Sequence, residues 1–214
     1  MSDATPDGPR SRGDGWDAGG NGTEDGADSR HERLTAHSTP GQGTSLRRWY
    51  RARNPLRVML NYVVIVICRV SPSLRLKRWL LRRIGVAVGS GVAWGLESTP
   101  DVFWPDLVTV GDDAVVGYDA TILCHEFLVD EYRTGEVVVG ERAMIGAGAV
   151  VLPGVEIGAG ARVAANSLVA SDVQPGATVA GVPATRVDDR TTRNDHPGDG
   201  EESATHEYNE RDTI

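Results

Sequence analysis

An all-β core, a left-handed parallel β-helix wound from hexapeptide repeats, is the fold class this sequence predicts. Three observations predict it. An aliphatic residue returns every six positions from Val110 onward, glycine often follows it at once, and a small or short-branched residue stands four positions after it. The first aliphatic series is Val110, Val116 and Ile122; the second is Val139, Ile145, Val151, Ile157, Val163 and Val169. The glycines are Gly111, Gly117, Gly140, Gly146 and Gly158, and the companions are Ala114, Ala120, Ala143, Ala149, Val155, Ala161, Ser167 and Val173. Val88-Gly89 and Trp94-Gly95 form a weaker prelude.

A period of six suits a three-sided prism. Three such strands close one turn, with the aliphatic residue pointing inward and the small residue beside it near the corner. Glycine is expected to supply backbone angles that other residues avoid. One turn cannot bury its apolar face, so stacking builds the core. A helix would show apolar spacings of three and four, which this stretch lacks. Aromatic residues are only 6% of the chain, as a narrow prism requires.

The flanks differ in charge. Net charge is −4 over residues 1–44, +11 over 45–84, −9 over 85–187 and −6 over 188–214, which marks parts with different jobs. Residues 1–44 and 188–214 are polar, with too little apolar surface to offset ordering entropy, and are predicted as disordered acidic tails. His31, His37, His196 and His206 fall in them and are expected to be solvated.

Residues 45–84 predict a basic amphipathic helical arm, with one helix from Pro55 stopped by Pro72 and a second over Ser73–Arg83. The apolar run is shorter than the ~20 residues of a membrane span. Two readings stay open: packing on the main domain or a partner subunit, or an arginine-flanked element on an anionic membrane surface. Residues 85–187 then hold the β-helix domain.

Lys77 is the lone lysine in an acid-rich chain, a composition expected of a halophilic source. Cys68 and Cys124 make no disulfide framework and no secretory signal is visible, so a reducing cytoplasm is expected. No nucleic-acid partner is expected.

The register breaks once. Ile122 and Val139 are 17 residues apart, and Glu126 stands where a small residue should. The chain is predicted to leave the prism near Cys124-His125-Glu126, run an excursion loop over 127–135, and return near Val137. A solenoid interrupted once, with a histidine at the departure point, is a functional-site candidate.

Pro153-Gly154-Val155-Glu156-Ile157-Gly158 resembles the "PGV-x-IG" coil of hexapeptide acyltransferases. Asp172-Val173-Gln174-Pro175-Gly176, followed by Ala180-Gly181-Val182-Pro183-Ala184, resembles the segment that ends their β-helix. The resemblance covers roughly residues 74–187 and is to the galactoside, maltose and exopolysaccharide O-acetyltransferase branch. It implies a homotrimer, acetyl-CoA as donor, and active sites between neighbouring prisms. It places the catalytic histidine at His125 and CoA contacts at Ala147, Ala165, Ala170, Ser171 and near Thr185-Arg186. Ser171 stands where several relatives have lysine, and Thr185 where an arginine often follows at once, so phosphate contacts are fewer or fall to Arg186. By analogy with sugar-binding relatives, Asp101 and Asp106 are candidates to bind acceptor hydroxyls, and equally are turn acids.

Acyl transfer to an alcohol needs a base, donors for the tetrahedral oxyanion, and substrates held in line. Imidazole, with a reference pKa of ~6.5, suits the first task. His125 is the one histidine within residues 85–187. Glu126 is a candidate to orient it or to bind an acceptor hydroxyl, or is a solvated acid. Cys124 lacks an adjacent second base and reads as a small apolar filler. The function expected is transfer of an acetyl or acyl group from acetyl-CoA to a hydroxyl of a sugar or glycan, in the cytoplasm, with peripheral membrane contact through residues 45–84 as a further expectation. A carbonic anhydrase-like hydratase would need about three histidine ligands, so no metal is expected. A non-catalytic assembly scaffold is the other alternative.

Overall fold

The computed structural model describes residues 30–39 and 44–187. The tail expectations for 1–29, 40–43 and 188–214, with His196 and His206, lie outside the described residues.

Within that span the period of six becomes three parallel faces. One face stacks β2 (Ala87–Val88), β4 (Val108–Val110), β9 (Val137–Val139) and β12 (Glu156–Ile157). The second stacks β3 (Ala93–Trp94), β5 (Val115–Val116), β10 (Met144–Ile145), β13 (Arg162–Val163) and β15 (Thr178–Gly181), with β16 (Ala184–Arg186) folded back antiparallel on β15. The third stacks β6 (Thr121–Ile122), β11 (Val150–Val151) and β14 (Leu168–Val169).

The inward residues lie in register. Val88, Val110, Val139 and Ile157 form one column, Trp94, Val116, Ile145, Val163 and Val179 the next, and Ile122, Val151 and Val169 the third. None of them exceeds 7% exposure. Val88 and Trp94 therefore belong to a true first coil. Each buried Val or Ile is worth ~1.5–3 kcal/mol, and every coil adds its share only against a neighbour.

The glycines act differently from expectation. A Cβ on Gly111, Gly117, Gly140, Gly146 or Gly158 would sit 2.4–2.7 Å from a backbone nitrogen of the next coil. Close approach of stacked backbones, and not an unusual angle, excludes larger residues there. The left-handed conformation falls two residues later, at Asp113 (φ 55°), Asp119 (φ 55°), Arg142 (φ 55°), Gly148 (φ 67°), Gly160 (φ 67°) and, one coil on, at Asn166 (φ 56°). Asp and Asn tolerate that region better than most residues with side chains.

The arm is helical as expected. After a 3-10 turn (Ser45–Arg48) come α1 (Trp49–Ala52), α2 (Pro55–Val70) and α3 (Leu74–Ile84). Asn54 and Ser73 cap the two longer helices through their side chains, and Gly85 ends α3 at φ 109°. α2 buries Val58, Asn61, Ile65 and Cys68; α3 buries Lys77, Leu81 and Ile84. The amine of Lys77 donates to the carbonyls of Trp94 (3.1 Å) and Gly95 (2.7 Å), which ties α3 to the first coil. Burial pushes that amine's pKa below its ordinary value. Among the described residues no helix is long and apolar enough to cross a membrane.

The prediction that all of 1–44 is disordered fails over residues 30–39. There β1 (Thr35–Ser38) pairs antiparallel with β8 (Glu131–Thr134), which pairs with β7 (His125–Phe127). The excursion is thus a hairpin with a third strand from the N-terminal segment. The segment orders because a neighbour supplies a strand edge and acids for its arginines, not through apolar content of its own. Arg30 is buried, donating to the carbonyl of Pro153 (2.7 Å) and to Glu126. Arg33 donates to the carbonyl of Gly154 (2.8 Å) and to Asp172. His37 is no free tail histidine either: its ring stacks on Tyr132 and bonds the Thr134 hydroxyl at 3.1 Å. His31 remains exposed.

Candidate active site

His125 opens β7 where the chain leaves the corner after Ile122. Strand alternation puts His125 and Phe127 on one side of the hairpin and Glu126 on the other. The imidazole is walled by Phe103 (4.9 Å between centroids), Phe127 (5.0 Å) and Trp104 (5.2 Å), and its side chain stays 15% exposed.

The ring is held by Asp101. Its Oδ2 lies 2.5 Å from His125 Nδ1 and accepts the Cys124 N–H at 2.6 Å. Its Oδ1 accepts the N–H groups of Phe103 and Trp104, each at 2.8 Å. The carboxylate is fully buried, and these four bonds fix it from every side. Nδ1 facing a carboxylate leaves Nε2 without a partner among the described residues. An imidazole held by an acid on one nitrogen can take a proton at the other and have the resulting cation stabilised.

These placements change the expected roles. Asp101, a candidate for the acceptor, is spent beneath His125. Glu126, a candidate to orient the ring, is bound to Arg30 on the opposite side of the hairpin. Asp106 is half exposed and paired with Arg53 of the arm. Cys124 is fully buried, and burial with the Asp101 charge pushes its thiol well above the ordinary range, which fits an inert filler. Among the described residues no group of three or more potential metal ligands occurs.

The positions matched to CoA fall on two corners. Ala170 and Ser171 follow Val169, at the corner from which the His125 hairpin departs two coils earlier. Ala147 and Ala165 follow Ile145 and Val163 at the neighbouring corner, where Asn166 N–H donates to the Ala147 carbonyl at 2.8 Å. Arg186 is exposed on β16.

Asp101 was a candidate for acceptor hydroxyls, but its bond to His125, 24 residues on, was missed because local spacing does not reveal that contact.

The family described as "Bacterial transferase hexapeptide (six repeats)" matches residues 136–171. The Bacillus subtilis (strain 168) protein named "Putative acetyltransferase YvoF" is 43% identical over 152 residues, covering 71% of this chain and 88% of that protein. Serine acetyltransferase of Escherichia coli (strain K12) is 40% identical over 80 residues, which is 36% of this chain and 29% of that enzyme. Among solved structures, the hexapeptide-repeat containing acetyltransferase VCA0836 of Vibrio cholerae superposes with a TM-score of 0.51 at 20% identity, over 68% of this chain and 94% of that one, a likeness of fold. A stacked three-sided coil with the family's repeats, aligned over nearly all of a relative, makes this chain a member of the bacterial hexapeptide-repeat acetyltransferases.

Proposed function

We propose that the protein transfers an acetyl group from acetyl-CoA to a hydroxyl of a sugar or glycan, with His125 as general base and Asp101 as its positioning residue. The contact of Asp101 Oδ2 with His125 Nδ1, at 2.5 Å, carries the reading. Nε2 takes the proton of the acceptor hydroxyl as its oxygen attacks the thioester carbonyl. The oxyanion that forms collapses, the carbon–sulfur bond breaks, and the imidazolium returns the proton to the leaving CoA sulfur.

The split of the CoA-matched positions between two corners supports a homotrimer. In that arrangement Ala147 and Ala165 of one copy line a groove opposite His125 and Ser171 of another, with Arg186 at the phosphates. Small side chains at 147, 165 and 170 leave room for an extended pantetheine chain. The Vibrio cholerae acetyltransferase VCA0836 has also been solved complexed with acetyl-coenzyme A, which supports that donor. A cytoplasmic enzyme with peripheral contact through residues 45–84 fits the reading.

The test is release of CoA thiol from acetyl-CoA with a panel of mono- and oligosaccharides, with serine included because of the Escherichia coli relative. His125→Ala is expected to lower kcat by about 10²–10⁴-fold with the fold intact. Equal turnover by wild type and His125→Ala overturns the assignment of the base. Turnover with serine alone overturns the sugar acceptor.

A further inference from the structure

We propose that the outward face of α2, with Arg75, Arg78 and Trp79 of α3, docks on an anionic lipid surface. The docking does not require the chemistry proposed above.

α2 is an inverted helix. The face turned to the domain carries Val58, Asn61, Ile65 and Cys68. The face turned to water carries Leu56, Met59, Leu60, Val63, Ile67 and Val70, between 43% and 77% exposed. Their spacing of three and four makes one uninterrupted stripe along four turns. No charge interrupts it. A helix packed on a soluble domain turns its polar side outward; here a backbone-bonded amide faces in and aliphatic side chains face out. A contiguous apolar patch of this kind marks an interaction surface. The helix has 16 residues, too few to span a bilayer but suited to lie along one.

Charge selects the occupant. Residues 45–84 hold eleven bases and no acid. On α3, Arg75 is exposed and Arg78 half-buried, and neither has a side-chain partner among the described residues. Trp79 is 54% exposed with the Arg83 guanidinium 4.9 Å from its ring centroid. Aliphatic residues to enter the acyl boundary, a tryptophan for the interface and unpaired arginines for phosphates are what a headgroup layer recognises. A second copy placed on this face by a two-fold axis would set arginines against arginines with no acid of the arm to pair them.

The test is sedimentation of the full-length protein with vesicles. Wild type is expected to pellet with vesicles of phosphatidylglycerol and phosphatidylcholine in equal parts at low salt, and to stay in solution with phosphatidylcholine alone. Arg75→Gln combined with Arg78→Gln is expected to lower the partition coefficient by about 30-fold, since each arginine near such a surface is worth ~1 kcal/mol. Leu60→Asp with Val63→Asp, both at exposed positions, is expected to abolish pelleting while leaving the circular dichroism spectrum unchanged. His125→Ala is expected to pellet like wild type, which separates docking from turnover. Wild type left in solution with phosphatidylglycerol vesicles overturns the proposal. So does a wild type whose size in solution falls with Leu60→Asp and Val63→Asp while pelleting is unaltered, because another copy then covers the stripe.

Discussion

Asp101 is the residue on which the site turns. Each of its oxygens accepts two hydrogen bonds, three in all from backbone N–H groups and one from His125. An amide in its place sets an NH2 group against at least one of those donors, whichever way it is flipped. Asp101→Asn is therefore expected to cost about 1–3 kcal/mol of stability and to lower kcat by on the order of 10²-fold, with the KM for acetyl-CoA nearly unchanged. Thermal melts and steady-state kinetics check the two halves. His125 was legible in the sequence because the register fails there and one histidine marks the failure. Asp101 was not, because its bond crosses a stretch outside the repeat and local spacing says nothing about which turn acid folds under which ring. Of the roles open to Glu126, orienting His125 fails for the opposite reason: adjacency in sequence suggests contact, but neighbours on a strand point to opposite sides.

At the scale of elements, the coil was legible nearly to the residue, since period six fixes which side chains point inward. What the repeat hid was why glycine follows the aliphatic. Gly146→Ala places a Cβ 2.5 Å from the Ala165 backbone nitrogen, so the coils must part at the Gly146 N–H bond to Val163. About 1–3 kcal/mol is expected to be lost. At Gly160 a Cβ meets nothing within 4 Å, and only the φ of 67° resists it, at roughly 1 kcal/mol. Urea midpoints are expected to rank wild type above Gly160→Ala and Gly160→Ala above Gly146→Ala. The β1 strand was illegible because its polar sequence carries no pattern; it is ordered by what it meets. Arg30→Ala removes a donor that bonds both Glu126 and, 123 residues along the chain from Arg30, the Pro153 carbonyl. A loss of about 2 kcal/mol is expected, and faster hydrogen exchange confined to β1, β7 and β8 would show that the hairpin, and not the coil, is what Arg30 holds.

For the whole molecule, division of the CoA-matched positions between two corners bears on assembly. If donor and base come from different copies, specific activity falls as the enzyme is diluted below its subunit affinity, and adding His125→Ala, which still carries Ala147 and Ala165, restores activity per wild-type chain at that dilution. Activity against protein concentration, beside light scattering, checks this. The loop from Asp101 to Trp104 adds a connection within each chain. Its carbonyls at Val102 and Phe103 accept from Asn61 (2.9 Å) and Arg53 (3.0 Å) of the arm, while Asp101 and the Phe103 ring hold His125. One short stretch of backbone is thus the shared wall of two rooms. Whatever leans on the helices from outside leans, two contacts later, on the imidazole proposed as the base, so anchorage, which needs no chemistry of its own, has a mechanical route to turnover.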